Sequence, residues 1–131
     1  MSVDESATAS ALLTIGEVAE QTGLSVHALR FYERQGILID PVRRTSGGQR
    51  LYSEDDLVWL RLCMVLRASG MPVEDIRVYT ELAREGEGTE RDRLELLRGH
   101  QDRVRAQLRE LKHCLDIITY KVRVYEDVVG E

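Results

Sequence analysis

The sequence predicts a mainly α-helical chain: a winged helix-turn-helix unit over residues 12–86, then one long coiled-coil helix over residues 87–131. Three observations carry this reading. Two short helical segments meet at a glycine-containing turn, Thr22-Gly23-Leu24. Two short arginine-bearing β segments flank the turn Thr45-Ser46-Gly47-Gly48. From residue 90 onward, apolar residues recur at a strict 3.5-residue period.

Composition sets the outer bounds. The 131 residues are 43% hydrophobic and 31% charged, enough for a packed core and too apolar for wholesale disorder. No apolar stretch approaches the ~20 residues of a membrane span, so no membrane partner is expected. Residues 1–11 are polar and acidic, with Asp4 and Glu5 and no apolar segment. They read as a disordered tail and not as a secretory signal, so the expected location is cytoplasmic. Cys63 and Cys114 are too few for a disulfide framework. The net charge of -5 by itself argues against nucleic acid as a partner. Its distribution reverses that argument. Residues 25–52 hold Arg30, Arg34, Arg43, Arg44 and Arg50 against only Glu33 and Asp40. A local cluster outweighs the total, because charges beyond a Debye length of roughly 8–10 Å are screened.

Each element has its own signal. Thr14 lies three residues before Glu17, a capping-box spacing, and Ile15, Val18 and Ala19 give the first helix its inner face. Ser25 caps a second helix through Val26, Leu29, Tyr32 and Glu33, which Gly36 stops. On these residues alone the pair is either a helix-turn-helix or an ordinary helical hairpin. Arginines on both strands of the following hairpin (Arg43 and Arg44, then Arg50) favour a wing over a hairpin that merely closes the core. Ser53 caps a third helix, and Glu54, Asp55 and Asp56 suit its positive end, which explains these carboxylates without a metal or acid–base site. That helix, apolar from Leu57 to Leu66 and including Trp59, is expected at the buried centre.

Gly70 ends the third helix and Pro72 starts a fourth, with Ile76, Tyr79 and Leu82 on its inner face; Gly86 and Gly88 form a hinge. The heptad seam follows: Leu94, Leu97, Gln101, Val104, Leu108, Leu111, Leu115, Ile118, Val122, Tyr125 and Val129, of which only Gln101 is polar. A helix of this length, about 55–60 Å, cannot bury one narrow stripe against so small a unit. A partner helix is required, and a second copy of the chain supplies it most simply. The flanking residues Arg98, Arg105 and Lys112 on one side and Arg93, His100, Gln107, Cys114 and Lys121 on the other include no acid, which disfavours a simple parallel zipper.

The residues so assembled resemble the MerR family of bacterial transcription regulators. The resemblance rests on Leu13 to Ala19, Gly23-Leu24-Ser25, Ala28 to Glu33 and Gly36-Ile37-Leu38 for the helix-turn-helix. Pro41, Arg43 and Gly48 to Tyr52 match the wing, and Asp56-Leu57 and Leu66 to Met71 complete it. It implies a homodimer joined by an antiparallel coiled coil through Leu94, Leu97, Val104, Leu108, Leu111, Leu115, Ile118, Val122 and Tyr125. Such dimers bind double-stranded promoter DNA, bend and untwist it, and act with RNA polymerase at the promoter. By the same resemblance, Thr14 is a DNA-binding residue, Ser25, Val26 and His27 face bases at the start of the second helix, and Arg30 reaches base edges or phosphate. Tyr32 positions the DNA backbone; Phe31, commonly tyrosine in the family, packs but lacks one phosphate bond. Arg43, Arg44 and Arg50 make wing contacts supported by Tyr52, and Arg67 reaches a phosphate.

No C-terminal effector domain follows the seam, so a short form of the family is expected. The cysteines are too isolated for a metal, and no cofactor is expected. Cys63 reads as core packing, and Val65 occupies the position where apparent short relatives carry a sensing cysteine. The competing reading is a coiled-coil interaction adaptor whose helix-turn-helix contacts protein, but it leaves Arg43, Arg44 and Arg50 without a purpose. An enzyme finds no support: His27, His100 and His113 lie in separate elements, with no nucleophile–base pair or phosphate loop.

Overall fold

The computed structural model describes residues 12–131; the tail expected at 1–11 lies outside the described residues. In chain order the elements are β1 (Leu13–Thr14), α1 (Ile15–Thr22), α2 (Val26–Arg34), β2 (Arg43–Arg44), β3 (Arg50–Tyr52), α3 (Glu54–Ala68), α4 (Val73–Glu85) and α5 (Glu90–Val129). They form two units, one ending at Arg93 and one spanning Leu94–Glu131.

Local chemistry sets the helix ends of the first unit. The Thr14 hydroxyl accepts from the Glu17 N–H at 3.2 Å, and the Glu17 carboxylate accepts from the Thr14 N–H at 3.0 Å. This reciprocal pair closes the capping box and holds the Glu17 carboxyl below its ordinary value. Gly23 then takes a left-handed φ of 80°, open to a residue without a Cβ, and turns the chain into α2. Ser25 caps α2 by accepting from the Ala28 N–H at 3.0 Å. A second capping box, Ser53 with Asp56, opens α3.

β3 is the middle strand of a three-stranded antiparallel sheet, order β1-β3-β2. Leu13 pairs with Tyr52 and Thr14 with Leu51 on one side; Arg43 pairs with Leu51 and Arg44 with Arg50 on the other. The strand at Leu13–Thr14 has no sequence signal of its own, because two residues are too few to show an alternation. Thr14 therefore both ends a strand and caps a helix.

The core gathers Val18, Leu29, Ile37, Leu38, Tyr52, Leu60, Met71 and Ile76. Only one face of α3 belongs to it. Leu57, Leu60, Cys63 and Leu66 are buried at helical spacing, whereas Val58 and Val65 are about two-thirds exposed on the other side. The expectation that this helix is the buried centre holds for one stripe only: apolar residues cover most of α3, but its neighbours cover a single face. On α4, Tyr79 stacks on Trp59 with centroids 5.3 Å apart, and the Trp59 indole N–H donates to Thr80 Oγ1 at 3.2 Å. Arg84 donates to the carbonyls of Gly36 and Leu38, tying the loop after α2 to the end of α4.

The first turn of α5 is fastened to the end of α4. The Thr89 hydroxyl donates to Leu82 O at 2.7 Å, and Arg93 donates to Gly86 O at 3.2 Å and to Thr89 Oγ1 at 3.0 Å. The division between units accordingly falls after Arg93, one turn into the helix, while the Gly86–Gly88 turn, expected to be a hinge, lies inside the first unit. The second unit is the rest of α5, a 40-residue helix about 60 Å long. Leu94, Leu108, Leu111, Leu115, Ile118, Val122, Tyr125 and Val129 of the seam are exposed in the single chain; Leu97 and Val104 are half-buried. Among the described residues, no helix is long and apolar enough to cross a membrane.

Candidate nucleic-acid interface

The face in question is built from α2 and the wing. The inward stripe of α2 is Leu29 and Tyr32, both buried, which turns His27 and Arg30 to solvent. Val26 is half-buried behind the Ser25 cap. Phe31 is half-buried too, its ring centroid 5.8 Å from that of Tyr32. Thr14 is exposed at the foot of α1, its hydroxyl committed to the capping box.

The wing turn is held by its own backbone. Thr45 N–H donates to Gln49 O at 2.8 Å, and Gly48 N–H to Thr45 O at 2.9 Å. Gly48 has φ of 86°, a turn position closed to most side chains. Arg43 and Arg44 on β2 are both exposed. Arg44 reaches back to α2, where its Nη2 lies 2.6 Å from Glu33 Oε1, while its Nη1 donates to Gly48 O at 3.2 Å. Between α2 and the wing lies a cleft of about 220 Å³, lined by Ile15, Arg30, Glu33, Arg44, Gly47, Gly48, Gln49 and Arg50. The sequence places Glu33 in α2 and Gly47 and Gln49 in the wing without assigning them a DNA-contact role. Their only signal there was proximity in sequence to Arg30, Arg44 and Arg50.

Arg50 departs from expectation, whereas Tyr52 supports the strand from inside. Arg50 is 4% exposed, not presented on the wing surface. Its Nη2 lies 3.5 Å from Asp56 Oδ2, and its guanidinium stands 5.1 Å from the Tyr52 ring centroid. The physical reason is the strand period: Arg50 and Tyr52 are two apart and share a face, and Tyr52 fills the core. Burial pushes the Tyr52 phenol up, with the Glu33 carboxylate adding to it and the Arg50 cation opposing. Asp56 also exceeds its expected helix-start role. Besides Arg50, its carboxylate accepts from the Asp40 N–H at 3.1 Å and the Ser53 N–H at 3.2 Å. Arg67 is exposed at the end of α3, with Nη1 donating to Met71 O at 3.3 Å, so it also braces the following turn.

The thiols differ sharply. Cys63 is fully buried and burial pushes its pKa up to about 12, while Cys114 is exposed. No group of three His, Cys, Asp or Glu side chains placed to hold a metal occurs among the described residues.

Comparison with known proteins now bears on the same residues. Residues 13–82 match the MerR HTH family of regulatory proteins, and residues 57–119 match the MerR DNA-binding family. The chain belongs to the MerR family. An uncharacterised HTH-type transcriptional regulator of Haemophilus influenzae is 36% identical over 113 residues, covering 86% of this chain and 83% of the relative. In structure, the chain is similar to HiNmlR, a MerR family regulator lacking the sensor domain and crystallised bound to promoter DNA. That likeness has a TM-score of 0.79 and 34% identity, over 88% of this chain and 91% of that one. A structure from Listeria monocytogenes assigned to the MerR family matches with a TM-score of 0.81 and 32% identity, over 87% and 86% of the two chains. As a MerR family member the chain is a DNA-binding transcriptional regulator and not an enzyme.

Proposed function

We propose that this MerR regulator acts as a homodimer that binds double-stranded promoter DNA, bends and untwists it, and so controls transcription by RNA polymerase. The observation that carries the reading is the shared cleft, where Arg30 of α2 meets Arg44 and the Gly48 turn of the wing on one surface. The start of α2, with Ser25, Val26 and His27, enters the major groove. Arg30, Arg43 and Arg44 reach phosphates or base edges, and Arg67 reaches the backbone. Arg50 and Tyr52 serve from inside, holding β3 so that β2 stands out. HiNmlR, similar over most of the chain, binds promoter DNA, which supports this assignment.

Dimerisation is the second half of the proposal. Leu108, Leu111, Leu115 and Ile118 are each more than half exposed in the single chain, and their heptad spacing fits the same seam of a second copy, antiparallel as in the family. Selection of duplexes from a random pool by the purified chain tests the whole reading. A near-palindromic site that migrates as bent DNA is the expected result. Recovery of no preferred duplex, together with retained dimerisation, would return the chain to the adaptor class.

A further inference from the structure

Glu33 sets a carboxylate into a surface that otherwise gathers arginines. In a face meant for a polyanion such a charge is unfavourable in itself, since it repels phosphate. Its geometry gives it a task. Glu33 Oε1 lies 2.6 Å from Arg44 Nη2, spanning from the last turn of α2 to β2 across eleven positions of sequence. The Glu33 side chain is 18% exposed and so is largely shielded from water, whereas Arg44 is 49% exposed and open to a ligand. The same guanidinium donates through Nη1 to Gly48 O at 3.2 Å. One side chain thereby joins the end of α2, the strand β2 and the wing turn. A guanidinium carries five N–H donors, and this arrangement uses two of them.

We propose that Glu33 is a positioning residue for DNA recognition: it aims the Arg44 guanidinium so that its remaining donors meet a backbone phosphate, and it fixes the wing relative to α2. An arginine on a two-residue strand without such a partner would lose rotamer freedom on meeting DNA, and the contact would weaken accordingly. The inference rests on the reading of the α2–wing face as the DNA surface. It goes beyond that reading by assigning an acidic residue a favourable role in binding an anion.

Two simple expectations oppose each other here. If Glu33 is only a charge near DNA, its removal raises affinity. If it positions Arg44, its removal lowers affinity and also removes one phosphate contact. The test measures affinity of the full-length chain across a salt series, using a duplex recovered from a random pool by the parent protein. Glu33→Ala and Arg44→Ala are each expected to weaken binding about tenfold, the scale of one charged hydrogen bond. Each should reduce the slope of log affinity against log salt by about 0.9, and the double substitution by the same 0.9 and not twice that. Glu33→Gln, whose amide oxygen still accepts from Arg44, is expected to recover most of the affinity and the slope. A loss of slope is not what a purely structural defect produces, and thermal unfolding of each variant checks the fold separately. Tighter or unchanged binding by Glu33→Ala overturns the proposal, as does additivity of the two substitutions. Arg30→Ala and Arg43→Ala serve as controls: if both leave affinity and slope unaltered, it is the DNA face that is misassigned, whatever Glu33 does.

Discussion

Replacing Asp56 with alanine should be among the most damaging substitutions available in the first unit. The carboxylate is 1% exposed and accepts three hydrogen bonds, from the Asp40 N–H, the Ser53 N–H and Arg50 Nη2. The substitution strands the Arg50 guanidinium, whose side chain is 3% exposed, without its counter-ion. Breaking a buried pair from one side costs about 3–5 kcal/mol. Two part-buried N–H groups also lose their acceptor, each a loss on the order of 1 kcal/mol. The Ser53 hydroxyl keeps its bond to the backbone of residue 56, so that part of the cap survives. A loss of about 5–7 kcal/mol follows, comparable to the whole stability of a small domain at about 5–15 kcal/mol.

The companion variant is Arg50→Met, which keeps the two backbone donors on Asp56 and fills the space with an apolar chain. Its cost should be smaller, about 2 kcal/mol. Urea unfolding followed by far-ultraviolet circular dichroism measures both, at one fixed protein concentration because association adds to apparent stability. The reasoning is refuted if Asp56→Ala costs under about 1 kcal/mol, since Arg50 would then be reaching water. It is refuted equally if Arg50→Met retains full stability but drops the DNA salt slope by about 0.9, the mark of a lost phosphate contact.

The remaining expectations concern the seam, the DNA face and the thiols. Leu108→Lys with Leu115→Lys places charges in a seam that must desolvate, so sedimentation should show monomer and DNA affinity should fall; a dimeric double variant removes the coiled-coil assignment. Arg43→Ala should weaken binding to every duplex and reduce the salt slope by about 0.9, whereas His27→Ala should change the selected sequence more than the slope. With the Cys63 pKa near 12, only about one part in 10,000 of that thiol is ionised at pH 8, so a thiol reagent should titrate Cys114 alone in the native chain and both cysteines in urea. Two equivalents reacting under native conditions would mean that α3 opens readily.

Helix starts were legible because their chemistry is local. Thr14 with Glu17, Ser25 with Ala28 and Ser53 with Asp56 each close a bond over three residues, and the sequence places those partners side by side. The long helix was legible for a related reason: a period sustained over five heptads is a pattern that no other structure produces. Contacts across greater separations left no such trace. Arg84 with the carbonyls of Gly36 and Leu38, and the Trp59 indole with Thr80, depend on how helices cross. β1 is too short for any periodicity to reveal it.

Arg50 shows most clearly where residue type misleads. An arginine beside a Gly-rich turn invites assignment to the surface, because burying a lone guanidinium is costly. Two facts already in the sequence pointed inward: its two-residue spacing from Tyr52, and a carboxylate six positions on at Asp56. Neither suffices alone. The strand period says only that Arg50 and Tyr52 share a face, and Asp56 has a sufficient explanation as a helix cap. What decides is which face of β3 is covered: Arg50 and Tyr52 are buried while Leu51 between them is only half-buried. Tyr52 takes that face and carries Arg50 with it, and Asp56, already held by two backbone donors, supplies the negative charge. The wing thereby divides its labour between strands: β3 anchors the sheet with a buried arginine, and β2 presents exposed ones. Substituting arginines on this one hairpin should therefore give two distinct phenotypes, lost stability from the inner strand and lost DNA affinity from the outer.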